Sequence, residues 1–166
     1  MYKSQSVGGL VGFSEGAVRA SYAEVTASTT LVTMPAPPTM SVRAGGLVGN
    51  LEGAMGKVTA SYATGTVSGG ISTTSVAPVT SYAGGLVGRA DSAATITASY
   101  ARGRVVDHNS AAARGGLVGT VVTGGTVTDS YWDTTNSGIA DDSDTDSPEG
   151  KNTRELKPKH LSLIHI

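Results

Sequence analysis

The sequence predicts an all-β fold of the parallel β-helix or β-solenoid type, about four stacked repeats followed by a disordered C-terminal tail. Three observations predict it: two short motifs that return four times in register, strand-like alternation between them, and a composition too poor in large apolar side chains for a thick core.

The pentapeptide GGLVG occupies residues 8–12, 45–49, 84–88 and 115–119, with starts 37, 39 and 31 residues apart. Downstream of each copy comes a β-branched residue, two further residues, then Ser-Tyr. These sets are Val18 with Ser21 and Tyr22, Val58 with Ser61 and Tyr62, Ile96 with Ser99 and Tyr100, and Val127 with Ser130 and Tyr131. Two landmarks in the same order four times over define a repeat, and one such unit is too small to bury its own apolar face. Neighbouring repeats must therefore stack, each strand pairing with its equivalent in the next repeat.

Between the landmarks the chain alternates as strands do, for example in residues 57–62 and 95–100, and glycines bound these runs. Two or three short strands per repeat are expected. Stacking at ~4.8 Å per layer places like over like, so Leu10, Leu47, Leu86 and Leu117 are expected in one buried column. The valines that follow them would face the opposite way or a corner. The pairs Gly8 and Gly9, Gly45 and Gly46, Gly84 and Gly85, and Gly115 and Gly116 suit sharp corners. Tyr22, Tyr62, Tyr100 and Tyr131 would form an inward stack in preference to an outward, carbohydrate-stacking strip. Trp132 stands where the earlier copies have alanine, and is expected to cap the stack.

Composition agrees. Leu, Ile, Val and Phe make up 33 of 166 residues, about the fraction below which a chain struggles to form a core. Gly, Thr and Ser number 23, 21 and 19, favouring turns and strand faces over long helices. The net charge of −1 and the lack of a basic patch argue against nucleic acid as a partner. No apolar run approaches the ~20 residues of a membrane crossing, so no membrane insertion is expected. Cysteine is absent, which removes disulfides and thiolate chemistry. The opening MYKSQSVGGL lacks the apolar centre of a secretory signal; if the protein is exported, this chain is expected to be part of a longer one.

GGLVG, a small residue before a β-branched position, and SYATGTV at residues 61–67 together resemble the GLUG repeat of bacterial filamentous-haemagglutinin-like adhesins and streptococcal immunoglobulin A proteases. The resemblance covers residues 7–137 and closes on Ser-Tyr-Trp-Asp at 130–133. It implies a β-helical stalk with a structural or adhesive role at the cell surface or outside the cell, and a host-surface protein or glycan as partner. The alternative is a non-catalytic accessory segment of a large secreted peptidase. The HExxH metal motif of the protease members is absent here, so their activity does not carry over. The chain departs from the family after the closing Trp-Asp, where an acidic run replaces the usual Gly, Ser and Thr. The expected domains are a solenoid over 1–137 and an acidic tail over 138–166. Residues 161–166, LSLIHI, fit no repeat and resemble translated adapter sequence.

No catalytic constellation and no cofactor are expected. Asp142, Asp144 and Asp146 alternate as calcium ligands can, but the positions for the loop glycine and bidentate glutamate hold Ser147 and Thr153, which favours a solvated loop. His108, His160 and His165 have no partner at metal-ligand spacing. The GG pairs open neither a G-x-x-x-x-G-K-[ST] nor a G-x-G-x-x-G pattern, and the serines sit outside a G-x-S-x-G context. An ice-binding face would need regular Thr-x-Thr ladders, which the unequal repeats disfavour. The stretches 26–44, 68–83 and 106–114 vary between copies and are expected to emerge on one edge. Met34, Pro35, Pro37, Pro38 and Met40 in the first form a candidate binding edge, with the competing reading that they fold back as a cover.

Overall fold

A computed structural model describes residues 3–31, 40–71, 79–107, 113–140 and 149–153. The chain winds through four coils. Coil 1 holds β1 (Lys3–Gly8), β2 (Val11–Ser14), β3 (Ala17–Arg19), β4 (Tyr22–Ala23) and β5 (Ala27–Leu31). Coil 2 repeats the set as β6 (Met40–Gly45), β7 (Val48–Leu51), β8 (Lys57–Thr59), β9 (Tyr62–Ala63) and β10 (Val67–Ile71). Coil 3 does so as β11 (Val79–Gly84), β12 (Val87–Ala90), β13 (Thr95–Thr97), β14 (Tyr100–Ala101) and β15 (Val105–Asp107). Coil 4 has β16 (Ala113–Gly115), β17 (Thr126–Thr128) and β18 (Tyr131–Asp133), and two isolated bridges, Val118 to Val87 and Val121 to Ala90, in place of its second strand. A one-turn helix, α1 (Thr134–Ser137), and a last strand, β19 (Glu149–Lys151), follow.

All the pairing is parallel and in the register set by the motifs. Gly8 lies opposite Gly45, and Gly45 opposite Gly84. Val18 lies opposite Val58, and Val58 opposite Ile96. Five sheets result, not the two or three expected, because each coil bends at four places where alternation alone shows no break. The unequal repeat lengths do not disturb this register. They fall at two places in each coil: between the second and third strands, at 15–16, 52–56 and 91–94, and between the fifth strand and the first of the next coil, at 32–39, 72–78 and 108–112.

The GGLVG corner is so tight that a Cβ on Gly45 would strike the carbonyl oxygen of Val48. A Cβ on Gly46 would meet the carbonyl of Gly85 in the next coil and lie 2.8 Å from the Cβ of Ala63 across the coil. Glycine at both positions therefore lets one strand turn straight into the next in a thin cross-section. The bend also corrects the expected orientation of the valines. Leu47, Leu86 and Leu117 stack fully buried, and Val48, Val87 and Val118 join them in the same core, because the corner falls between the two residues and turns both inward. Leu10 breaks the expected column: it is 51% exposed, since coil 1 has no coil on its outer side.

A second corner precedes each Ser-Tyr. Ala20, Ala60, Ala98 and Asp129 all have φ between 46° and 49°, a left-handed conformation that costs a residue with a Cβ about 1–2 kcal/mol. The serine that follows, buried in every coil but the first, holds the corner. Ser61 Oγ donates to Thr59 O at 2.9 Å and accepts Ser21 N at 3.3 Å. Ser99 Oγ donates to Thr97 O and accepts Ser61 N, and Ser130 Oγ donates to Thr128 O and accepts Ser99 N. The hydroxyls thus form a continuous ladder that takes over where the αL residue interrupts the backbone one.

The core has two parts. The larger runs through Leu47, Val58, Ala63 and their equivalents, and ends on Trp132. The smaller lies between the first and fifth strands of each coil and contains Ala44, Val67, Ala83, Val105 and Ile139. Beyond Ser137, Ile139 and β19 still pack on the coils. Ile139 extends the column begun by Val67 and Val105, and β19 pairs with β18. Residues 141–148 and 154–166 lie outside the described residues.

Candidate functional site

The glycines of GGLVG, the leucines of coils 2 to 4 and the serines and alanines of Ser-Tyr-Ala are used up in packing coil on coil, so chemistry falls to the side chains outside that set. A polar cluster, half-buried except for the buried Asn50 and Asp91, lies at the arch made by the first and second strands of coils 2 and 3. The arms press together because Gly49 and Gly88 have no Cβ; one on Gly88 would meet the backbone of Ala44 at 2.8 Å.

The register stacks Tyr82 on Arg43 and Arg89 on Asn50. Arg89 bridges the arms: its guanidinium lies 5.3 Å from the centre of the Tyr82 ring and 2.8 Å from Asp91 Oδ1. Asn50 Nδ2 donates to Glu52 Oε2 at 3.3 Å. Among the described residues four buried side-chain atoms have no hydrogen-bond partner, and three of them, Arg43 Nε, Arg89 Nε and Asn50 Oδ1, belong to this cluster; the fourth is Ser81 Oγ. Burial, and then the charge of Arg89, lower the pKa of Arg43 from its ordinary value. Two guanidinium groups, two carboxylates, an amide and a phenol ring here offer donors, acceptors and an aromatic face together, which is what a polar, hydroxyl-rich ligand requires.

The tyrosines stand on the outside, which corrects the expected inward stack. In each two-residue fourth strand the alanine points in, with Ala23, Ala63 and Ala101 buried, and the tyrosine points out. Tyr22 is 59% exposed and stacks on Tyr62 with ring centres 5.2 Å apart. Tyr100 is covered by its neighbours. Burial, and secondarily the charge of Asp133, push its pKa up to about 12.

Asp133 has a structural task. Its side chain is fully buried and accepts hydrogen bonds from Thr135 N, Asn136 N, Asn136 Nδ2 and Thr153 Oγ1, with Arg102 Nε at 3.5 Å. Burial alone would raise its pKa; the bonds from Thr153 and Asn136 outweigh burial and hold it below the ordinary carboxylate value. Trp132 fills the space over Gly116 and donates from Nε1 to Ile139 O at 3.3 Å, the capping role expected of it.

Of the candidate binding edge, Met40 begins β6 and pairs with Lys3 and Val79, so it belongs to a strand and not to a projecting loop. Met34, Pro35, Pro37 and Pro38 lie outside the described residues, as do His108, His160, His165, Asp142, Asp144 and Asp146. Most of the stretches expected as variable connections are strands β5, β6, β10, β11, β15 and β16. Outward Thr-x-Thr pairs occur in β13 and β17, but β3 and β8 carry Arg19 and Lys57, which breaks any regular threonine face. Among the described residues no group of three or more acidic, His or Cys side chains could hold a metal, and no helix is long and apolar enough to cross a membrane.

The family model of the GLUG motif matches residues 41–68 and 80–106. These segments are coils 2 and 3, each from its first strand to its fifth, so two of the four coils match the GLUG motif, and such a repeat suits a module of a larger protein. No curated protein and no solved structure matches the chain.

Proposed function

We propose that this chain is a non-enzymatic structural and adhesive module of a bacterial surface or secreted protein, in which the stacked coils act as a stiff spacer and their outer face makes contact with glycans. The observation that supports it is the division of labour within the GLUG coils. The serines and alanines of the motifs and the leucines of coils 2 to 4 turn inward and build the stack, while Arg43, Asn50, Tyr82 and Arg89 vary between coils and hold donors and an acceptor that no protein group meets. A sugar's hydroxyl groups can satisfy both kinds of atom at once, and an aromatic ring adjoins them.

The test is binding of the purified chain to a glycan array and to host cells, with an Arg43→Ala, Arg89→Ala double variant and a deletion of residues 35–39 in parallel. Loss of binding in the double variant at unchanged thermal stability supports contact through the arch. Loss only in the deletion moves the contact to the first connection. Absence of binding by the natural chain rejects the adhesive part and leaves the spacer. An HExxH-bearing domain in the same reading frame would favour the accessory segment of a secreted peptidase.

A further inference from the structure

The two ends of the solenoid differ in kind. At the C-terminal end, Trp132, Ile139, α1 and β19 close the stack. At the N-terminal end no described element does. β1, β2, β3, β4 and β5 are each the outermost strand of their sheet. Of the five large hydrophobic residues exposed in the described chain, four lie in coil 1: Leu10 at 51%, Phe13 at 50%, Tyr22 at 59% and Val25 at 51%. Bare strand edges beside exposed apolar side chains are what proteins ordinarily cover.

We infer that this end is a docking face for one further coil of the same repeat type, supplied by polypeptide that precedes Lys3 in a longer protein. The hydrogen-bond ladder specifies that occupant. The amides of Leu10 and Val11 donate to Leu47 O, and those of Leu47 and Val48 donate to Leu86 O. By the same rule, Leu10 O is the acceptor for a Leu-Val pair one coil earlier. Ser21 Oγ, which donates to Arg19 O, stands ready for the amide of an earlier serine as Ser61 Oγ does for Ser21 N. A segment with the GGLVG and Ser-Tyr pattern fills both positions and covers Leu10 as coils 1 and 2 cover Leu47 and Leu86. A second copy stacked head to tail cannot do so, because the face it would have to offer lies under Trp132, α1 and β19.

The register supplies the experiment. Lys3 and Val79 both pair with Met40, so a copy of residues 40–78 inserted directly before Lys3 in the full chain joins coil 1 as the natural segment joins coil 3. Hydrogen exchange read by NMR or mass spectrometry should then show protection throughout the inserted coil, and exchange in coil 1 slowed about tenfold or more, as its local opening becomes costlier. The same insertion with its copy of Leu47 changed to Asp should lose both effects. An inserted coil that exchanges like unfolded chain while coils 2 to 4 are unchanged would overturn the inference. So would concentration-dependent dimerisation of the natural chain in sedimentation velocity that Leu10→Asp abolishes, since the occupant would then be a second copy.

Discussion

Replacing Ser99 with alanine should destabilise the protein by about 2 kcal/mol, and replacing Ser21 by less than about 0.5 kcal/mol, although the two serines hold the same place in their repeats. Ser99 Oγ donates to Thr97 O at 2.9 Å and accepts Ser61 N at 3.3 Å. Without it, Thr97 O keeps the amide of Ala60 at 3.2 Å and stays satisfied. Ser61 N does not. It belongs to a fully buried residue, and an orphaned buried donor costs about 1–3 kcal/mol. Ser21 Oγ bonds Arg19 O at 2.8 Å in an exposed setting, and no earlier coil places an amide on it, so its removal orphans no donor. Urea unfolding followed by circular dichroism and by the emission of the single tryptophan, Trp132, measures both. With a slope of ~2 kcal/mol/M the Ser99 variant should lose about 1 M in its midpoint. Equal shifts for the two variants, or none for Ser99→Ala, would refute the hydroxyl ladder as a stabilising element.

The same contrast between interior and end applies to leucine: Leu86→Ala should cost about 2–5 kcal/mol, and Leu10→Ala, half exposed already, no more than about 1 kcal/mol by partial loss of burial, both read by the same unfolding assay. Ala98→Gly should raise the thermal midpoint, because glycine relieves about 1 kcal/mol at φ 49°; a fall would mean that the lost side chain outweighs the relief. Truncation after Ala140, which removes β19 and Thr153, should lower the midpoint and shift Trp132 emission to the red, whereas no change would make the C-terminal strand dispensable. In pH titrations of stability two groups act at opposite ends. Tyr100, raised to about 12 in the folded state from 10.0, contributes stability that is complete below pH 10 and lost as pH rises toward 12. Asp133, lowered from 3.8, contributes stability that is present above that value and lost as pH falls below it; Tyr100→Phe and Asp133→Asn should each flatten its own limb.

The sequence alone was enough for the class of fold, the number of coils, their register and the capping role of Trp132, because parallel stacking repeats the same contacts in every layer and so leaves a periodic trace in the chain. It showed that Gly45, Leu47, Ser61 and Tyr62 have equivalents in each coil, but not what each does. Whether Tyr62 points in or out depends on the left-handed corner at Ala60, and αL alanine has no signature in composition or alternation. That corner also decides that Ser61 links coils, a role visible only once Thr59 O and Ser21 N are brought together in space. Only the tertiary structure showed that Val48 joins Leu47 in the core, since the bend between them cancels the alternation rule. It alone placed Arg43, Asn50, Tyr82 and Arg89 in one cluster, because they come from two strands of two coils and belong to no motif. The end of the stack followed the same logic: Leu10 matches its column in sequence but is exposed, since burial comes from a neighbouring coil, and a residue's own repeat cannot provide it.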